Sequence, residues 1–311
     1  MSPRQEVIDM KITVIGLGQM GGNMALTLHK AGFDVTGSDV FDTARERLAG
    51  LGLAVAAPAE LPASDVYLLS LPTSAQVREV IEQTPNLLAT APRGSVIVDT
   101  STSDPVISRE LAAKVLGAGL EWLDAPVSGG PKGAASGRLG MLLGGDPATV
   151  ARLEPMLAAM SAKRTHVGGP GSGHVVKLAN NYLCATNLLA TAEAVTLAAK
   201  AGVDPAACLA GLNSGSGRSA VSEVNFPEWI LSGRFDSGFT CGLMRKDLRL
   251  ARDAAAGLAL DLGLLEQVVA GWHADPEHPA DSDDFNHIAA PLLAQAGLDF
   301  TTSDPREEPA R

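Results

Sequence analysis

Lys177 and Asn181 stand four residues apart in "GGPGSGHVVKLANNYL" (168–183), so on a helix they share one face, continued by Cys184 and Leu188. A lysine is rarely buried without a partner, yet this one sits in an apolar stretch that reads as a core helix. It can be a structural lysine whose stem runs along the core while its ammonium reaches water. It can also be a functional lysine facing a cleft between two domains, with Asn181 orienting it or the substrate. A free lysine has a pKa of about 10.4, whereas a base working near neutrality needs roughly 7–8, a gap worth about 4 kcal/mol. Apolar burial and nearby positive charge push in that direction, so the setting that is odd for structure suits chemistry. A second cation, Lys246 in "MRKDLRLA" (244–251), stands beside Arg245 and Asp247 and reads either as part of that site or as a solvated helix face. In "DAPVSGGPKGA" (124–134), Ser128, Gly129 and Gly130 place a hydroxyl beside consecutive backbone N–H groups, a small anion cradle or a plain surface turn.

A further motif points to what such a base would work with. "GLGQMG" fills positions 16–21 with Gly16, Leu17, Gly18, Gln19, Met20 and Gly21, after a strand and at the start of a helix. Gly16 permits the tight turn, Gly18 lets a pyrophosphate approach the backbone, and Gly21 lets helix and strand pack closely. The helix N-terminus then faces the phosphates. Asp39 ends the second strand 18 residues past Gly21, where a carboxylate accepts from an adenosine ribose hydroxyl. Arg45 and Arg47 fall later, on the next helix, so NAD is expected rather than NADP.

The elements that must hold these residues follow from periodicity. Through residue 130, short β-branched runs ("KITVIGLG", "DVTGSD", "DVYLLSLP", "GSVIVDTST", "EWLDAPVSGG") alternate with helical stretches ("GGNMALTLHKAG", "TARERLAGLG", "SAQVREVIEQ", "DPVISRELAAKVLGAG"). Strands separated by helices imply parallel β-α-β units. Past about residue 170, long Ala/Leu-rich helices follow with hardly any strand signal. The expected fold is therefore α/β, a Rossmann-type doubly wound sheet over 1–170, followed by an all-helical C-terminal domain over 171–311. The chain of 311 residues is 46% apolar but only 4% aromatic, so its core must be Ala, Leu and Val. A net charge of −11 argues against a nucleic-acid or anionic-membrane partner. No apolar run reads as a membrane span, and "MSPRQEVIDMKITVIG" lacks a signal peptide's features, so a cytoplasmic protein is expected. Cys184, Cys208 and Cys241 are widely spaced, the histidines (His273 and His278 in a polar loop among them) show no ligand spacing, and no metal is expected. "FTTSDPREEPAR" reads as a frayed tail.

Taken in order, "GLGQMGGNMA", "DTSTSDP", "DAPVSGGPKGA", "GPGSGHVVKLANN" and "MRKDLRLA" resemble the β-hydroxyacid dehydrogenase family over nearly the whole chain. The resemblance implies a Rossmann domain, a long interdomain helix, and a helical domain that builds homodimers or homotetramers. It further implies Lys177 as catalytic acid/base with Asn181 as its partner, and Ser128, Gly129 and Gly130 as substrate contacts. Lys246 is implied near nicotinamide and substrate, with Leu71, Pro72 and Thr102 lining the cofactor. NADP-preferring relatives carry Asn-Arg where this chain has Asp39 and Val40, consistent with NAD. The activity implied is reversible oxidation of a small 3-hydroxy acid to a semialdehyde or 3-oxo acid. Alternatives are a phosphogluconate-type decarboxylating dehydrogenase, which usually has a larger helical half, and a tartronate semialdehyde reductase-like enzyme. Imine reductases commonly replace the lysine, and a non-catalytic dinucleotide-binding module would be expected to lose it. "NSGSGRSAVSEVNFPEWIL", with Arg218, and "PEHPADSDDF" match no single substrate.

Overall fold

In the computed structural model, residues 8–273 and 279–299 are described, so the tail at 300–311 and His278 lie outside the described residues. The chain divides into two compact units, 1–177 and 178–311.

The first unit opens with strand β1 (Ile8–Ile15), helix α1 (Gln19–Lys30), β2 (Phe33–Ser38), α2 (Asp42–Ala49), β3 (Ala54–Ala56) and β4 (Val66–Leu69). It continues through α3 (Ser74–Glu82), the single turn α4 (Leu87–Thr90), β5 (Val96–Asp99), α5 (Pro105–Gly117) and β6 (Glu121–Asp124). Strands β3-β2-β1-β4-β5-β6 are parallel neighbours in that order. The order reverses at β1/β4, and crevices beyond the carboxyl ends of strands at such a reversal are where open α/β sheets bind ligands. Strands β4 and β5 are buried at every position, as expected of parallel strands with helices on both faces. One apolar cluster, with Ile12, Val14, Met24 and Leu28, covers one face, and another, with Ile15, Tyr67, Ile97 and Trp122, covers the other.

The parallel pattern ends at β6, which corrects the expectation of β-α-β units alone. Next come β7 (Val127–Ser128), α6 (Gly130–Ala135), β8 (Leu139–Gly145), α7 (Pro147–Met160) and β9 (Ser161–Gly168). Strand β8 runs antiparallel to both β6 and β7 and parallel to β9. Asp124 faces Gly144 and Ser128 faces Gly140, so β6 and β7 share one register, interrupted at Ala125–Pro126, where proline has no N–H for the ladder. A six-residue helix rises only about 9 Å, which turns the chain around without returning it to the start of a parallel strand.

Helix α8 (Ser172–Lys200) contains residues of both units. By length and composition it is apolar enough to cross a membrane, although Lys177, Asn180 and Asn181 interrupt its apolar run. In the second unit Leu188, Ala192 and Val195 of this helix are fully buried in an apolar core with Phe226, Met244, Leu248 and Trp272. That core also takes α9 (Pro205–Asn213), a π-helix at Val221–Ile230, α10 (Cys241–Gly257), α11 (Gly263–Gly271), a 3-10 turn at Phe285–Ala289 and α12 (Ala290–Ala294). The second unit is helical as expected; its described residues add only an isolated bridge between Thr240 and Asp284. None of Cys184, Cys208 and Cys241 is in a disulfide, and burial pushes the Cys241 thiol up to about 11.

Candidate active site

The glycine turn joins β1 to α1. Gly16 takes a φ of +94°, and a Cβ there would collide with the carbonyl of Ser70 at the end of β4, so both conformation and space demand glycine. A Cβ at Gly21 would collide with the Gly16 carbonyl, whereas one at Gly18 would meet nothing within 4 Å. Two of the glycines thus close the turn, and the third leaves its surface open for a ligand to approach. Gly18 is the N-cap of α1, no side chain caps that terminus, and no acidic residue occupies its first turn. Gly18 and Gln19 are exposed, Met20 is half-buried and Leu17 is buried. This donor set suits a diphosphate.

Asp39 stands at the end of β2, beside that turn. Its carboxylate accepts the N–H of Leu17 at 2.7 Å and of Phe41 at 2.9 Å, so it fixes the turn and still has lone pairs left for a hydroxyl. Arg45 and Arg47 lie on α2 as read from sequence, yet their side chains fold back: Arg45 Nη1 donates to the Asp39 carbonyl at 2.5 Å and Arg47 Nη2 to the Leu17 carbonyl at 2.6 Å. Sequence spacing did not show this return. Leu71 donates its N–H to Ser101 Oγ at 3.0 Å; with Pro72 and Thr102 it follows the carboxyl ends of β4 and β5. The expected cofactor residues of the first unit therefore gather at the carboxyl ends of β1, β2, β4 and β5, and they fit a dinucleotide; Lys246 lies on α10 of the second unit.

Lys177 lies in the first unit, 6% exposed, and its Nζ donates to Ser128 Oγ at 2.9 Å. Ser128 is the last residue of β7, Gly129 follows with a φ of +117°, and Gly130 begins α6. That positive φ turns the backbone sharply beside an exposed hydroxyl. The structure thus joins the lysine to the serine of the glycine cradle.

In the second unit, Asn181 is buried, and its Nδ2 donates to Asp247 Oδ2 at 2.6 Å. Asn180 Nδ2 donates to the Asn181 Oδ1 at 3.1 Å, so both ends of that amide are held. Asp247 is 2% exposed, and its other oxygen lies 3.3 Å from Lys246 Nζ. Sequence reading named Asp247 only as a neighbour of Lys246; a carboxylate in a helix rich in charge reads as solvated, and only its burial shows otherwise. Arg218 is exposed and stands 3.5 Å from Glu223. Among the described residues no group of three or more His, Cys, Asp or Glu is arranged to hold a metal.

A glycine turn at the switch point and a buried lysine against a serine-glycine cradle define a dinucleotide-binding oxidoreductase. Comparisons with known proteins agree on the class. Residues 11–168 match the family described as the NAD binding domain of 6-phosphogluconate dehydrogenase, and residues 171–292 match the family described as NAD-binding of NADP-dependent 3-hydroxyisobutyrate dehydrogenase. The chain is 36% identical to 2-hydroxy-3-oxopropionate reductase of Escherichia coli (strain K12) over 254 residues, 81% of this chain and 87% of that one. It is 36% identical to the mitochondrial 3-hydroxyisobutyrate dehydrogenase of Bos taurus over 249 residues, 78% of this chain and 74% of the other. The solved structure of Mycobacterium tuberculosis 3-hydroxyisobutyrate dehydrogenase with L-serine superposes with a TM-score of 0.82 at 34% identity, covering 90% of this chain and 98% of that one. The chain belongs to the β-hydroxyacid dehydrogenase family and is an NAD(P)-binding dehydrogenase.

Proposed function

We propose that the protein catalyses the reversible NAD-dependent oxidation of a small 3-hydroxy acid to its semialdehyde or 3-oxo acid. The observation that carries this reading is the 2.9 Å bond from the buried Lys177 to Ser128, at the edge of a turn able to hold a carboxylate. Because Ser128 Oγ accepts from Lys177, its own proton is free to donate to a substrate oxygen. Together with the N–H groups of Gly129 and Gly130 it binds the carboxylate, and Lys177 removes the proton of a hydroxyl on a carbon near that anchor. A bound nicotinamide would supply the acceptor for the hydride that leaves the carbinol carbon. In the reverse direction Lys177 returns the proton. Asn181, one helical turn further along α8, is held by Asp247 and presents an amide on the face that carries Lys177. We assign Lys246 to substrate and cofactor, and Leu71, Pro72 and Thr102 to the cofactor, as the family resemblance implies.

The names of the relatives support the substrate class: 2-hydroxy-3-oxopropionate and 3-hydroxyisobutyrate are both small acids with oxygen on the third carbon. The first of them favours a second reading, in which the physiological direction is reduction of tartronate semialdehyde. Preference for NAD over NADP rests on the Asp39 carboxylate, which would repel the phosphate NADP carries on that ribose. We extend the proposal to a homodimer or homotetramer, which the exposed Leu183 and Leu197 of α8 support and light scattering on the eluting protein would check. The test of function is turnover on a panel of 3-hydroxy acids with NAD, and of the matching semialdehydes with NADH. Turnover of at least one pair is expected; silence over the whole panel in both directions overturns the reading.

A further inference from the structure

The first turn of α8 is fastened from below by a group that the mechanism does not use. Asp124, fully buried at the end of β6, accepts the backbone N–H of Gly171 at 2.7 Å and of His174 at 3.2 Å. It also accepts the indole N–H of Trp122 at 3.3 Å. Room for the carboxylate comes from two glycines. A Cβ on Gly144 would collide with it, and one on Gly173 would lie 2.7 Å from Oδ2. Helix N-termini are usually capped by a Ser, Thr, Asp or Asn of their own chain segment. Gly171, just before this helix, has no side chain to offer, and a carboxylate from a distant strand takes over the role. Burial pushes the Asp124 carboxyl above its ordinary value, while the helix N–H groups and His174 pull it back.

His174 fastens the same turn sideways. Its ring is fully buried, and Nε2 lies 3.1 Å from the Ser101 carbonyl and 3.7 Å from Asp99 Oδ2. A carbonyl only accepts, so Nε2 carries the proton, and Nδ1 is buried without a hydrogen-bond partner. Ser101 in turn accepts the N–H of Leu71 through its hydroxyl. Asp124 therefore ties the first turn of α8, which leads into Lys177, to the end of β6, four residues before Ser128. The link from His174 through Ser101 ties the same turn to the ends of β5 and β4, where Thr102 and Leu71 lie.

We infer that Asp124 and His174 are positioning residues that hold Lys177 in register with Ser128 and with the Leu71 and Thr102 segments. The catalytic half of this inference rests on the assignment of Lys177 as acid/base. Misplacement of a reacting group by about 1 Å can lower a rate roughly 10²-fold, and neither residue needs to touch substrate to cause it. The substitutions are Asp124→Asn, which keeps the shape but only one strong acceptor, His174→Leu, which keeps bulk and loses the donor, and His174→Gln, whose amide N–H can reach the Ser101 carbonyl.

Two readouts separate this inference from the reading of function. Competitive acylation of Lys177, followed by mass spectrometry, reports the reactivity of the lysine without any substrate. The kcat on the best acid of the panel, with NAD affinity measured by fluorescence titration, reports catalysis. We expect Asp124→Asn and His174→Leu to change the acylation rate of Lys177 several-fold and to lower kcat by about 10–10²-fold. NAD affinity should stay within about threefold for Asp124→Asn and weaken more for His174→Leu, while His174→Gln restores most of both readouts. Unchanged acylation in both disabling variants overturns the inference even if no acid of the panel is turned over. So does a loss of activity that merely follows a loss of melting temperature and that His174→Gln fails to rescue.

Discussion

The glycine turn at 16–21 and the lysine turn at 171–177 are built by opposite means. The glycine turn works through backbone: Gly16 and Gly21 are fixed by collisions any side chain would cause, Gly18 leaves open space, and the helix end supplies the donors. Its chemistry is sequence-local, spanning six residues and one carboxylate at Asp39. The lysine turn works through side chains brought from far along the chain. Lys177 meets Ser128 across 49 residues, and His174 meets Ser101 across 73. A backbone site tolerates few residue types at each position but asks little of the rest of the fold. A side-chain site needs every partner placed, and its loss can be local to one reaction while the fold and cofactor affinity survive.

Replacing the lysine should separate the two regions most sharply. Lys177→Ala is expected to lower kcat by roughly 10²–10⁴-fold, the worth of a positioned acid/base, with NAD affinity nearly unchanged by titration. Lys177→Arg should fail as well, because guanidinium remains protonated near neutrality. An alanine variant that keeps most of its kcat would make the lysine structural and erase the contrast.

A smaller effect is expected one step behind the chemistry. Asp247→Ala leaves the buried Asn181 Nδ2 without its acceptor, and unpaired buried donors of this kind cost about 1–3 kcal/mol. Steady-state kinetics should show kcat lower by about 10–10²-fold, with NAD affinity held within about threefold. Weakened NAD binding with an unchanged kcat would move Asp247 to the cofactor side of the comparison.

At the glycine turn the expected effect is on selectivity. Asp39→Asn keeps an acceptor for one of the two N–H groups of Leu17 and Phe41 and removes the negative charge. The ratio of kcat/KM with NAD to that with NADP should narrow by about tenfold, and adding arginine at Val40 should narrow it further. Unmodified protein that is already faster with NADP would contradict the role given to Asp39. Arg45 and Arg47, folded back on this turn, are the residues to examine in that case.

The smallest effect concerns stability. Because burial raises the Asp124 carboxyl, the folded protein holds that proton more tightly than the unfolded chain does. The resulting stabilisation is full below the unfolded value of about 3.9 and is lost as pH rises through the folded one. Asp124→Asn cannot titrate. Its melting temperature relative to the unmodified protein should therefore climb by a few degrees from acid to neutral pH, as read by differential scanning fluorimetry. A flat or falling difference would mean that the carboxylate is stabilised by its donors more than burial penalises it.

How much of this was legible in the sequence follows the same division. Gly16, Gly18, Gly21 and Asp39 could be read because each residue type answers a geometric demand within a few positions. Lys177 and Asn181 stood out by helical spacing, and Ser128 by its glycines. The five parallel neighbours of the sheet that precede β6 were partly legible too; the three-residue β3 was too short to give a periodic signal. The reversal at β8 and the strand β9 were not read, since "LGMLLGG" carries no mark of direction and only the short α6 decides it. Asp124, His174 and Asp247 passed unremarked as functional residues because nothing local distinguishes a buried carboxylate or imidazole from a solvated one. Their meaning lies in partners as far away in sequence as Gly171, Ser101 and Asn181.

The most direct test of the proposed function asks whether the cradle at Ser128–Gly130 binds a carboxylate. The kcat/KM of the best hydroxy acid is measured beside that of its methyl ester or amide, at one pH and fixed NAD. Charge-assisted bonds contribute about 1.5–3 kcal/mol each, so loss of two should make the ester or amide roughly 10²–10⁴-fold poorer than the free acid. Equal values would mean that no carboxylate is held there, and the hydroxy-acid assignment would fall with it.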